Sequence, residues 1–186
     1  MSLILGLDVA SQTGFAWYDD GAPLSTIKTG LIKAQGDNAE QKAASLAMQL
    51  VPMLKADRPD FVAIEETMRN VKSFKKKRSD LGGEVEESTI NPNALQLEGL
   101  VCAAVAIIAA YRIPWITIPS STWRKQFLGM GRSPSFDRAA WKKAAVDRCR
   151  LLKIDVRNAD AAEAVGIAFA ARATQQFKML TQRAAA

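Results

Sequence analysis

Apolar residues fill Leu3 to Leu7 almost without a break, and the run gives way to Asp8 and the polar Ser11-Gln12-Thr13-Gly14. Phe15 to Tyr18 is apolar again, Asp19-Asp20-Gly21 supplies turn chemistry, and Leu24 to Ile32 alternates loosely. Short apolar runs separated by turn residues predict three successive antiparallel strands. From Asn38 to Leu54, Ala43, Leu46, Ala47, Leu50, Val51 and Leu54 recur at helical spacing. Pro59 closes that helix, and Asp60 to Glu65 reads as a buried strand.

Residues 67–92 carry no apolar periodicity. They hold a basic run, Arg69 to Arg78, then Gly82-Gly83 and the acidic stretch Glu84 to Glu87. A connection this long inside a compact domain is expected to be a functional or disordered loop. Asn93 to Tyr111 reads as a helix that is apolar on almost all sides from Gly99 onward, a pattern expected of a helix covered on two faces. Pro114 to Ile118 is a short strand, Ser120 to Leu128 a short helix and Gly129 to Ser135 a loop. Phe136 to Leu152 and Asn158 to Met179 are expected to be the last two helices. No repeat or linker divides the chain, so residues 1–186 are read as one domain with a basic loop insertion at 69–90.

Composition narrows the chemistry. With 48% hydrophobic and 24% charged residues the chain reads as a soluble globular domain. Its longest apolar run, Gly99 to Ala110, falls short of the roughly 18 residues of a membrane span. Asp8 interrupts the apolar stretch near the N-terminus, so no signal peptide and a cytoplasmic location are expected. Cys102 and Cys149 lack metal-ligand spacing and are expected to be reduced, buried thiols. The chain has no histidine. That excludes serine–histidine and cysteine–histidine catalysis, histidine-containing zinc sites and any imidazole acid or base. Carboxylates, lysines, hydroxyls and a hard metal ion remain. The formal net charge of +6 makes polyanions the natural partners, although many basic proteins bind none.

The acidic residues that matter are those in costly places. Asp8 follows a buried strand, where an unpaired charge is expensive; a turn cap would also explain it. Glu65 and Glu66 end the second buried strand, and adjacent strand residues point to opposite faces, so at most one shares the face of Asp8; either could also be simply an exposed strand end. Asp160 and Glu163 stand three apart on a helix behind the candidate N-cap Asn158, where acids also serve only to offset the helix dipole. Together these carboxylates can converge at one edge of a sheet. Like charges held close repel, so such a cluster calls for a cation. Oxygen ligands favour Mg²⁺ or Mn²⁺, and a pair of such ions can drive phosphodiester hydrolysis.

Several segments resemble the RuvC-type Holliday junction resolvases. Leu5-Gly6-Leu7-Asp8-Val9-Ala10-Ser11-Gln12-Thr13-Gly14 is similar to the family's first strand, and Ala63-Ile64-Glu65 to its second acidic motif. Ala159 to Ala168 resembles its final helix, Asn93 to Gln96 with Gly99 the start of its central helix, and Ser121 to Lys125 with Phe127-Leu128-Gly129 the segment after the fifth strand, as in phage-type members. The resemblance spans essentially the whole chain in consistent order. It implies an α/β ribonuclease H-like fold, a mixed five-stranded sheet with its first three strands antiparallel, flanked by helices. It also implies a homodimer, two Mg²⁺ ions held by Asp8, Glu65, Asp160 and Glu163, with Mn²⁺ able to substitute, and nicking of four-way DNA junctions. Three departures stand out: Glu163 replaces an aspartate, Met68 takes the place of an aromatic wedge, and Val71 to Ile90 is inserted.

Arg69, Lys72, Lys75, Lys76, Lys77 and Arg78 crowd six positive charges behind Glu65, a run that either contacts phosphates or is merely solvated. Phe74 within it could stack on an unpaired base. Lys142, near the place of a family lysine, would stabilise charge developing in the transition state, while Lys143 is a candidate DNA contact; both could equally be ordinary helix lysines. Three other functions stay open. An acetate-kinase and actin-like phosphotransferase shares the Gly-x-Asp and Thr-Gly signature but needs two domains. The others are a junction-binding module that does not cut, and a relative acting on RNA or on other branched structures.

Overall fold

A computed structural model describes residues 1–67, 73–80, 83–90 and 92–185, with only the backbone considered at 73–80, 83–90, 92 and 184–185. Its centre is a mixed sheet of strands β1 (Leu3–Asp8), β2 (Gln12–Asp19), β3 (Lys28–Lys33), β4 (Phe61–Glu65) and β7 (Trp115–Ile118), in the spatial order β3-β2-β1-β4-β7. The first three strands pair antiparallel, and β4 and β7 join parallel, as expected. A 3-10 turn at Leu24–Thr26 occupies the start of the segment read as the third strand, which therefore begins only at Lys28.

The apolar runs of β1 and β4 are continuous because helices cover both faces. Ile4, Phe61 and Ala63 face a cluster completed by Trp123, Phe127, Ala145 and the alanines of α5 (Ala159–Ala171). Leu5, Leu7, Val62 and Ile64 face the other way, onto α1 (Ala39–Ala56) and α2 (Pro92–Ala110). Helix α1 presents Leu46, Leu50 and Leu54 to the core, and Asn38 caps it by accepting from the Gln41 backbone N–H at 2.8 Å.

The segment read as a loop holds a hairpin instead. β5 (Ser73–Asp80) pairs antiparallel with β6 (Gly83–Ile90), in a register that sets Lys76 against Glu87 and Lys77 against Glu86. Arg69 and Lys72 lie outside the described residues.

Three helices, not two, close the chain: α4 (Arg138–Leu151), α5 and α6 (Gln175–Ala185). The break between α5 and α6 carries no glycine or proline. Thr174 makes it, its hydroxyl donating to the Ala171 carbonyl at 2.6 Å and accepting from the Phe177 N–H at 3.4 Å. Helix α3 (Ser120–Leu128) matches the sequence reading and stops at Gly129, whose left-handed φ of 85° favours glycine.

Two further expectations change. Cys149 is buried, and burial pushes its thiol up to about 12, but Cys102 is exposed on α2. The apolar run from Gly99 also understates that helix: Asn93–Ala110 is long and apolar enough by composition to cross a membrane, and 22% of it is buried. Leu100, Val101, Ala104 and Ile108 seat one face of α2 on the sheet and α1. Leu95, Gly99, Cys102, Ala106 and Ala109 stand exposed on the other.

Candidate metal centre

Asp8 ends β1 and Glu65 ends the neighbouring parallel strand β4, each one residue past the paired Leu7 and Ile64. The same sheet edge receives the first turn of α5, where Asn158 accepts from the Ala161 N–H at 2.8 Å and caps the helix. Asp8 pairs across to Gly14 in β2, and a Cβ on Gly14 would lie 2.1 Å from the Asp160 carbonyl oxygen. Only a residue without a side chain lets α5 come this close. Thr13, buried beside it, shapes the turn by donating to the Ala10 carbonyl at 2.8 Å. Asp160 is thereby delivered to the side of Asp8, and Glu163, one turn later, follows on the same face.

Ligand oxygens of Asp8, Asp160 and Glu163 all lie within 4.8 Å of one another. Glu65 lies beside the group and adds its charge to those felt by Asp8 and Glu163. Burial is the largest force holding Asp8 well above the usual carboxylate range, and the charges of Glu65, Glu163 and Asp160 push the same way. Glu163, 6% exposed, is raised to about 7 by burial and by Glu65, against the opposing pull of Lys142 and Arg124.

Lys142, on α4, donates to Asp160 and lies 3.9 Å from Glu163, so the expected lysine stands at the cluster. Lys143 turns away and pairs with Asp147 at 2.5 Å on the exposed side of α4. The Lys143 ammonium holds Asp147 below its usual range. Phe74, Lys75, Lys76, Lys77 and Arg78 fall on β5, where only the backbone is described.

Three residues at the cluster escaped the sequence reading. Ser120 donates to Glu65 at 2.5 Å, and Trp123 donates its indole N–H to the same carboxylate at 3.0 Å. Arg124 lies between the rings of Trp123 and Trp141, its guanidinium carbon 5.3 and 4.7 Å from their centroids. Trp123 and Arg124 lay within the Ser121 to Lys125 segment that resembles the family's, but no site role was read from it.

The donor set fits a hard divalent cation. It is all oxygen, shares one sheet edge, and holds more like charge than Lys142 offsets.

No protein-family model matches the sequence, and no curated protein does. Solved structures do. The T. thermophilus RuvC structure in complex with Holliday junction substrate superposes with a TM-score of 0.65 at 14% identity, over 98% of this chain and 97% of that one. A second Thermus thermophilus RuvC structure gives 0.57 at 15% identity, covering 98% and 96%. The yeast mitochondrial Holliday junction resolvase Ydc2 gives 0.57 at 12%, covering 98% and 86%. The class is therefore an α/β fold with a mixed five-stranded sheet between helices. Within that class the fold is of the RuvC resolvase type.

Proposed function

We propose that this protein is a divalent-metal-dependent endonuclease that nicks branched DNA, four-way junctions foremost. The observation that carries the reading is the convergence of Asp8, Asp160 and Glu163, with Glu65 beside them, at the strand-end edge of a RuvC-type sheet. These four residues would hold Mg²⁺ or Mn²⁺. Bound there as a pair, the ions supply an activated water and stabilise the leaving oxygen of a phosphodiester. Strands β1 and β4 and helix α5 bring the carboxylates to one edge, and burial of Glu163 keeps bulk water from its side of the cluster. Lys142 carries the positive charge that offsets charge developing on the phosphate oxygens. The test is cleavage with Mg²⁺ of four-way junctions, flaps, linear duplex and structured RNA side by side. Nicking of junctions well above the rest is expected. Preference for flaps or RNA replaces the substrate, and cleavage of none of them removes the reading.

The basic strand β5 serves affinity in this proposal rather than chemistry. Changing Lys75, Lys76 and Lys77 together to alanine should flatten the slope of log K against log salt by about 0.9 for each phosphate that is no longer neutralised on duplex arms. An unchanged slope assigns the strand to solvent.

The exposed small-residue face of α2 supports a two-fold homodimer, the assembly that matches the near two-fold symmetry of a four-way junction. Sedimentation should give twice the 20.2 kDa chain mass at micromolar concentration. Monomer alone, with and without junction DNA, excludes the dimer.

A further inference from the structure

Glu65 differs from the other acids of the cluster in being held by side chains of a neighbouring helix. Strand β7 pairs with β4 so that Ile118 stands opposite Glu65, and α3 starts two residues later. Its first turn is thereby fixed at the sheet edge where Glu65 emerges. Ser120 and Trp123 are spaced i, i+3, so both side chains leave the same face of α3. Both donate to one atom, Oε1 of Glu65, at 2.5 and 3.0 Å.

Trp123 is fully buried, and a buried indole N–H needs an acceptor. Its ring is wedged against α5, where a Cβ on Gly166 would come within 2.6 Å of it. The indole therefore touches the helix that bears Asp160 and Glu163 while its N–H grips Glu65 from the sheet. One rigid side chain ties the two halves of the cluster together.

We infer that Ser120 and Trp123 are positioning residues that set the rotation of the Glu65 carboxylate, committing Oε1 to the protein and leaving the second oxygen as the one that would ligate a cation. The assignment rests on the metal-centre reading above. Partners that orient a ligating carboxylate typically change metal affinity or activity 10–100-fold when removed.

Titration of the full chain with Mn²⁺, followed by calorimetry and by the loss of the free-ion resonance, tests this without any cleavage assay. Ser120→Ala and Trp123→Phe should each weaken Mn²⁺ binding several-fold, and the double variant by roughly 10–100-fold. Ser120→Thr, which keeps the hydroxyl, should bind close to the parent. Once Glu65→Gln is present, Ser120→Ala should add little further loss, because the carboxylate whose rotation it sets is no longer there. Unchanged affinity in the double variant overturns the inference, as does an equal loss from Ser120→Ala with and without Glu65→Gln. If Trp123→Phe does not fold, the Ser120→Ala comparison in the two backgrounds decides alone. A parent that binds no Mn²⁺ instead overturns the metal centre itself, and the positioning role with it.

Discussion

Asp8→Asn, Glu65→Gln and Asp160→Asn will each leave branched DNA bound and uncut. The loss of nicking should be at least ~10²–10³-fold, the scale for removing one preorganised group that stabilises transition-state charge. Binding should hold or tighten slightly, since each change removes a negative charge from a surface that meets a polyanion. The three side chains come from β1, β4 and α5, so a common phenotype would report their convergence rather than damage to one element. Asp160→Asn is the sharpest of them, because it also releases Lys142 from its partner. Glu163→Asp should retain more activity than Glu163→Ala, since a carboxylate on a shorter arm still ligates. Undiminished nicking in EDTA, or by the Asp160→Asn protein, removes the mechanism.

The second large effect is on stability. Without a cation, the folded protein holds Asp8 and Glu163 with raised proton affinity, Glu163 at about 7 against an ordinary value of 4.5. A raised carboxylate favours the protonated form in the folded state. Its ionisation therefore costs stability above the folded value, and that cost is relieved as pH falls from about 7 toward 4.5. For Glu163 the cost is on the order of 3 kcal/mol, or roughly 6–12 °C in a domain of this size. In EDTA the parent should thus melt higher near pH 5.5 than near pH 8. Glu163→Gln and Asp8→Asn should melt above the parent at pH 8 and show a flatter pH profile. Added Mg²⁺ should close or reverse that gap by binding the folded parent, with about 2.7 kcal/mol at a hundredfold excess over Kd. Asp160→Asn does not belong in this comparison, because Asp160 is paired with Lys142. Scanning calorimetry of the two variants at both pH values decides. If both melt below the parent in EDTA at pH 8, the carboxylates do not repel one another, and the cluster loses its physical basis.

Legibility in the sequence followed how local each determinant was. β1 and β4 could be read because helices on both faces require uninterrupted apolar runs, and α1 because its three leucines repeat on one face behind an asparagine cap. Hairpin β5–β6 could not, since a strand signal needs alternating burial and Ser73–Asp80 offers almost no apolar residue. The end of α5 was hidden because a threonine, with no glycine or proline beside it, stops one helix and starts the next. The four acids could be picked out from their placement at two strand ends and one turn apart near the start of a helix. Their supports could not: the hydrogen bonds from Ser120 and Trp123 to Glu65 cross 55 and 58 residues of chain, and no periodicity encodes such a contact.

Helix α5 sits on the sheet at two glycines, Gly14 against the Asp160 carbonyl and Gly6 against the Ala164 carbonyl, where an added Cβ would come to 2.1 and 2.4 Å. Both are main-chain clearances already at their floor. Every substitution at either glycine adds bulk, and none can bring the helix nearer. Mutational drift at these positions is therefore one-sided: it lifts α5 outward and carries Asp160 and Glu163 away from Asp8, even though no acid has been altered. A variant of this chain could thus keep all its acids and its fold and still have its acid cluster pulled apart by a single methyl group under a helix.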